Sequence, residues 1–85
     1  MNKLFTDDAW NDYLYWQETD KAKIKRINKL IKSIERDGLA KGLGKPEPLK
    51  YDLSGYWSRR INDEHRIVYK IDNDKLVIVS CKDHY

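Results

Sequence analysis

The chain has 85 residues, a net charge of +3 and 36% charged side chains spread over both signs, and it has no low-complexity stretch. This describes a single domain over residues 1–85, and a chain this short buries only about 60–65% of its unfolded surface, so its three Trp, six Tyr and one Phe must supply much of the core. No apolar run approaches the roughly 18 residues of a membrane span, Met1–Trp10 turns acidic at Asp7 and Asp8 with no apolar h-region, and the lone Cys81 rules out an internal disulfide; a cytoplasmic, reducing location is expected.

Lys3-Leu4-Phe5 is a short candidate strand. Thr6 is placed to cap a helix, with Asp7 and Asp8 in the first turn facing its positive end. Trp10, Tyr13, Leu14 and Gln17 recur at helical spacing, which predicts a first helix from about Asp7 to Glu18. Thr19 or Asp20 starts the next one. Ile24, Ile27, Leu30, Ile31 and Ile34 form one apolar stripe, with lysines on the opposite face. Gly38 is its C-cap and stop. Almost nothing joins the two helices, so an antiparallel hairpin is expected. Charge changes sign along this stretch. Residues 1–20 are acidic, whereas residues 21–45 carry Lys21, Lys23, Lys25, Arg26, Lys29, Lys32, Arg36, Lys41 and Lys45 against Glu35 and Asp37. Such a block is either a solvated helix face or an attractant for polyanions.

Between Gly38 and Gly55, glycines and prolines break any regular element, and a loop this long in a small domain is more often functional than not. The period then changes to two. Tyr56–Ile61, Arg66–Ile71 and Lys75–Cys81 read as strands of a meander, joined by turns at Asn62-Asp63-Glu64-His65 and Asp72-Asn73-Asp74. Ile67, Tyr69 and Ile71 take one face of the middle strand, which leaves Arg66 and Lys70 on the open face. Leu76-Val77-Ile78-Val79 is apolar on both faces and belongs inside the sheet. Cys81, at the end of this run, reads as a buried inert thiol. The expected class is α+β: two N-terminal antiparallel helices packed on one face of a twisted antiparallel sheet of four to five strands.

The open face is where chemistry would gather. The loop brings Glu47 and Lys50, the strands bring Arg59 or Arg60 and Arg66, and the tail brings His84 and Tyr85. Cleavage of RNA by internal transfer needs a base for the 2′-hydroxyl, cations for the phosphorane, an acid for the leaving 5′-oxygen and a group that splays the bases. A carboxylate, several basic residues, a histidine and a tyrosine supply that set with no metal or cofactor. Each also has an ordinary structural reading: Glu47 as a solvated loop residue, His84 as a terminal residue free to fray, His65 as a polar turn residue. Arg59 and Arg60 are adjacent, so only one shares a face with the site. Counting from Trp57 and Ile61 as core residues sends Arg60 outward, and a bulge near the turn would reverse that.

The runs Tyr13–Asp20, Gly44-Lys45-Pro46-Glu47-Pro48-Leu49-Lys50, Ser54–Ile61, Glu64-His65-Arg66-Ile67-Val68-Tyr69 and the final His84-Tyr85 together resemble the YoeB toxins of the RelE-like superfamily, over the whole chain. The resemblance implies a RelE-like microbial ribonuclease fold and a ribosome-dependent endoribonuclease that cuts mRNA in the A site of the 70S ribosome. It also implies a YefM-type antitoxin partner, a homodimer, and operator DNA bound through the toxin–antitoxin complex. Carried over by position, Glu47 matches the family's proposed general base, His84 its general acid, Arg66 its phosphate-stabilising arginine and Tyr85 its substrate-positioning tyrosine, while Lys50 and Arg60 match basic residues of the same pocket. Two other classes compete with this reading: a non-catalytic RNA- or ribosome-binding module, and a co-repressor subunit for an antitoxin. Neither needs a carboxylate beside an imidazole.

Overall fold

In the computed structural model, residues 1–83 are described. The elements run β1 (Asn2–Phe5), α1 (Asp7–Thr19), α2 (Lys21–Asp37), β2 (Glu47–Pro48), a single turn of 3-10 helix (Tyr51–Leu53), β3 (Trp57–Arg60), β4 (Arg66–Asp72) and β5 (Lys75–Ser80). The strands form one five-stranded sheet in the order β1-β5-β4-β3-β2. From β2 to β5 every pairing is antiparallel, as expected, but β1 runs parallel to β5, with Asn2 opposite Lys75 and Phe5 opposite Ile78. The sheet is therefore mixed. A parallel neighbour requires a long crossover, and the α1–α2 hairpin lies between these two strands in the chain.

Each helix starts and stops where its caps dictate. Thr6 Oγ1 accepts from the Ala9 amide at 3.2 Å, while its own amide donates to Ile78 O at 3.0 Å, so one residue closes the sheet edge and opens α1. Asp20 serves both helices. Its amide donates to Trp16 O at the end of α1, and its carboxylate accepts from the Ala22 and Lys23 amides at the start of α2. Gly38 ends α2 with φ +89, a conformation that favours glycine.

The helices pack on one side of the sheet. Ala9 and Trp16 from α1 and Ile27, Leu30, Ile31 and Ile34 from α2 meet Ile67, Tyr69, Leu76 and Ile78. A fully buried Leu or Ile contributes about 1.5–3 kcal/mol relative to an exposed one, so this isoleucine and leucine stripe is the main source of cohesion. The Trp16 indole also donates to Cys81 O at 2.8 Å, which holds the end of β5 against α1. The Asn73-Asp74 turn has φ of +48 and +65, the primed geometry that suits a tight hairpin. Among the described residues, no helix is long and apolar enough to cross a membrane.

The Asp20 carboxyl is held below the usual carboxylate range, first by a hydrogen bond from the Lys23 ammonium at 2.7 Å and against the desolvation that accompanies it. A lowered folded-state value gives stability that is present above the ordinary carboxylate range and lost as pH falls through the folded value. Asp20→Ala should therefore lower the melting temperature by a few degrees at neutral pH, and thermal melts in increasingly acidic buffer should show the gap to wild type narrowing below about pH 4.

Candidate active site

Alternation along the strands sorts their side chains onto two faces. Trp57, Arg59, Ile67 and Tyr69 point toward the helices, and Arg59 stands opposite Ile67. Register then assembles the other face. Glu47 on β2 pairs with Ser58 on β3, Ser58 pairs with Val68 on β4, and Arg60 pairs directly with Arg66. Residues opposite one another, or two apart on a strand, share a face. Glu47, Arg60 and Arg66 therefore lie on one face, with Glu47 two strands and one pleat repeat from Arg66, about 12 Å at the backbone by sheet geometry.

The two-residue strand β2 lies within what the sequence presents as loop. Glu47-Pro48 is flanked by Pro46, and proline is tolerated here because β2 is an edge strand whose outer side makes no ladder bond. Leu49 extends the pairing, its amide donating to Tyr56 O at 2.9 Å. Glu47 and Lys50 are exposed, and Lys50 precedes the single 3-10 turn.

Arg66 lies deeper than an open-face arginine is expected to, with 9% exposure. Its Nη1 donates to the carbonyls of Asn62, Asp63 and His65 at 2.7, 3.2 and 3.1 Å. The turn that offers these carbonyls is shaped by Asn62, whose Oδ1 accepts from the Glu64 and His65 amides. Val68 and Ser58 are also buried on this face, so it is less open than its alternation implies. Two arginines directly opposite repel one another, and an anion between them relieves that repulsion through charge-assisted hydrogen bonds.

Arg59 departs from the expectation that it binds RNA. Its side chain has no exposure, and its guanidinium is enclosed by protein oxygen. Nε donates to Tyr69 Oη at 2.8 Å, Nη1 to Ser33 Oγ and Leu43 O at 2.9 and 3.1 Å, and Nη2 to Gly38 O and Lys41 O at 2.6 and 2.7 Å. Segment 38–43 is wrapped around this cation. Gly42, at φ +106, has no room for a Cβ because Ser33 Oγ and Asp37 Oδ2 would overlap it. The helix-facing register of Trp57, Arg59 and Ile61 was visible in the alternation, and Arg60 is the neighbour left for the site.

His65 is the residue whose place the sequence conceals. As a turn residue it reads as merely polar, yet it is buried, and its ring packs edge-on against Trp16 with centroids 4.8 Å apart. Its Nδ1 accepts from the Asp83 amide at 2.8 Å. The two expected tail residues, His84 and Tyr85, lie outside the described residues. Cys81 is fully buried, with its Sγ 3.5 Å from Ala9 O, and burial followed by the nearby Asp12 carboxylate pushes its thiol up to about 12. Among the described residues, no three His, Cys, Asp or Glu side chains are grouped to hold a metal ion.

A mixed five-stranded sheet with a helical hairpin on one face and Glu47, Arg60 and Arg66 together on the other defines a small α+β domain. The family model for the YoeB-like toxin of bacterial type II toxin–antitoxin systems matches residues 5–85, and the chain belongs to this family. It is 59% identical to the toxin YoeB of Streptomyces coelicolor over 85 residues, the whole of both chains. A solved YoeB dimer from Staphylococcus aureus shares 53% identity at a TM-score of 0.95, covering 100% of this chain and 98% of that one. A YoeB–YefM complex from the same organism shares 52% identity at a TM-score of 0.94, again covering 100% of this chain and 98% of that one.

Two measurements follow. Arg59→Met leaves Tyr69 Oη and the carbonyls of Gly38, Lys41 and Leu43 without the donor they share, and each buried unsatisfied group costs about 1–3 kcal/mol. Urea denaturation should register a loss above roughly 3 kcal/mol, against the roughly 0.5 kcal/mol typical of a surface site. Cys81 should resist iodoacetamide in native protein at neutral pH and react fully in denaturant, as followed by intact mass.

Proposed function

We propose that this YoeB-family toxin is a ribosome-dependent endoribonuclease that cleaves mRNA in the A site by metal-independent acid–base transfer and so halts translation. The observation that carries the reading is the common face of Glu47, Arg60 and Arg66, with Asp83 held to the same strand, its carbonyl accepting from the Arg66 amide at 2.9 Å. His84 and Tyr85 follow directly in the chain.

In this mechanism Glu47 removes the 2′-hydroxyl proton, and the 2′-oxygen attacks the adjacent phosphorus. Arg66 and Arg60 take up the charge that grows on the phosphorane oxygens. His84 protonates the departing 5′-oxygen, and the products are a 2′,3′-cyclic phosphate and a 5′-hydroxyl. Tyr85 holds the bases out of their stack, and Lys50 adds to the cationic rim. The tether of Arg66 Nη1 to the turn carbonyls supports preorganisation, because the guanidinium need not be ordered when substrate arrives.

The partners follow from the relatives. The Staphylococcus aureus relatives are a YoeB dimer and a YoeB–YefM complex, which supports a homodimer and neutralisation by a YefM-type antitoxin; that the complex of this chain with its antitoxin binds operator DNA is part of the proposal and rests on the family resemblance alone. The basic face of α2, with Lys21, Lys25, Lys29, Lys32 and Arg36 exposed, supports a polyanionic partner such as ribosomal RNA.

Single-turnover cleavage of a defined mRNA on programmed ribosomes tests the proposal. Wild type should cut at the A-site codon and leave a cyclic phosphate, while Glu47→Ala and His84→Gln should each be slower by at least about 100-fold. Products ending in a 3′-hydroxyl and a 5′-phosphate overturn the internal-transfer chemistry. Growth arrest that survives both substitutions makes the protein a binding module instead.

A further inference from the structure

The proposed mechanism makes no use of His65, although few side chains in the molecule are as completely engaged. The residue is 8% exposed, and its ring sits between α1 and the β3–β4 turn. One edge meets the Trp16 indole. With Nδ1 accepting, the ring hydrogen belongs on Nε2, which faces Glu64 Oε1 at 3.5 Å.

Asp83, the residue His65 holds, is gripped from both directions. Its amide donates to His65 Nδ1 at 2.8 Å, and its carbonyl accepts from the Arg66 amide at 2.9 Å. Two consecutive residues, the last of the turn and the first of β4, thus fix the backbone amide and carbonyl of one tail residue. Asp83 also has φ +67, in the left-handed region that Asp enters more readily than most non-glycine residues, so the chain turns there. Upstream, the Cys81 carbonyl is bound by Trp16 and its amide by Asp12 Oδ2 at 3.1 Å. Ser80 Oγ donates to Lys82 O at 3.1 Å. The same indole that holds Cys81 also backs the His65 ring, so these contacts form one assembly.

We infer that His65 is a positioning residue: by accepting the Asp83 amide it fixes the direction in which the chain leaves toward His84 and Tyr85. The inference rests on the proposed role of His84 as the general acid. An imidazole suits the task better than a carboxylate or a hydroxyl. It presents a single acceptor on a rigid ring, and its apolar faces are tolerated against Trp16. Arg66 belongs to the same device, since its amide holds Asp83 O while its side chain serves the phosphate. The acid's anchor and the phosphate's ligand are therefore set in one stretch of backbone.

Two substitutions separate positioning from packing. His65→Phe keeps a ring against Trp16 and removes the acceptor. His65→Asn keeps an acceptor where Nδ1 stood and removes the ring. If the acceptor is what matters, His65→Phe should slow single-turnover cleavage by about 10- to 100-fold, the scale of a small misplacement of a reacting group, with ribosome affinity and melting temperature little changed. His65→Asn should then melt lower yet cut within a few-fold of wild type. A packing role alone predicts the opposite order, and that order overturns the inference.

A second readout does not depend on catalysis. In 15N-labelled wild-type protein, a through-hydrogen-bond 15N–15N coupling should connect the Asp83 amide to His65 Nδ1 and vanish in His65→Phe. Absence of the coupling in wild type overturns the tether, and a full-rate His65→Phe variant overturns its role in positioning. A full-rate His84→Gln variant with the coupling intact supports the tether and overturns only the acid assignment.

Discussion

A guanidinium taken wholly out of water must replace its hydration with protein oxygens, or the fold that buries it does not form. Arg59 does this with one side chain from α2, one from β4 and three carbonyls of the segment that follows α2. The consequence runs in both directions. The segment has no regular hydrogen bonding of its own, so its carbonyls need a donor as much as the cation needs acceptors. Once closed, the cage ends at Gly44, whose carbonyl accepts from the Arg60 amide at 2.7 Å, and β2 begins three residues later with Glu47. The position of the candidate base thus depends on a charge in the core of the molecule.

The two faces of the sheet divide the work. The helix-facing side is filled by isoleucine, leucine and tyrosine and holds the structure together. The other side carries cations that would repel one another if left alone, with Arg60 directly opposite Arg66. Such crowding is tolerable because the core side contributes the cohesion and because part of Arg66 is bonded to the turn before it.

How much of this was legible depends on whether the signal was local. The isoleucine stripe of α2, its glycine stop and the Asn73-Asp74 turn are written within a few residues, and all appear in the structure. Period-two counting placed Ile67 and Tyr69 inward and Arg60 outward correctly. What escaped was set by partners distant in the chain. The parallel pairing of β1 with β5 joins residues about as far apart as the chain permits, and no pattern within either strand announces it. The short β2 has no alternation to read. Arg59 was visible by register as helix-facing, but its charge argued for the surface, and only a cage of carbonyls from another segment resolves the conflict. His65 was concealed for the same reason, since its partner is an amide near the far end of the chain.

The parallel edge has a consequence for how the molecule comes into being. Asn2–Phe5 precedes the rest of the domain in the chain, yet its ladder partner is Lys75–Ser80, so β1 has nothing to pair with until almost all of the domain is present. Closing a loop that spans nearly the whole chain is the slow kind of folding step, because its entropy is lost before any contact rewards it. The α1–α2 hairpin is built from local contacts and can form early; the sheet edge cannot. The contacts that hold Cys81–Asp83 to Trp16, His65 and Arg66 are of the same long-range kind, and they carry the same closure cost. The topology therefore leaves the β1 edge of the sheet as the part that closes last.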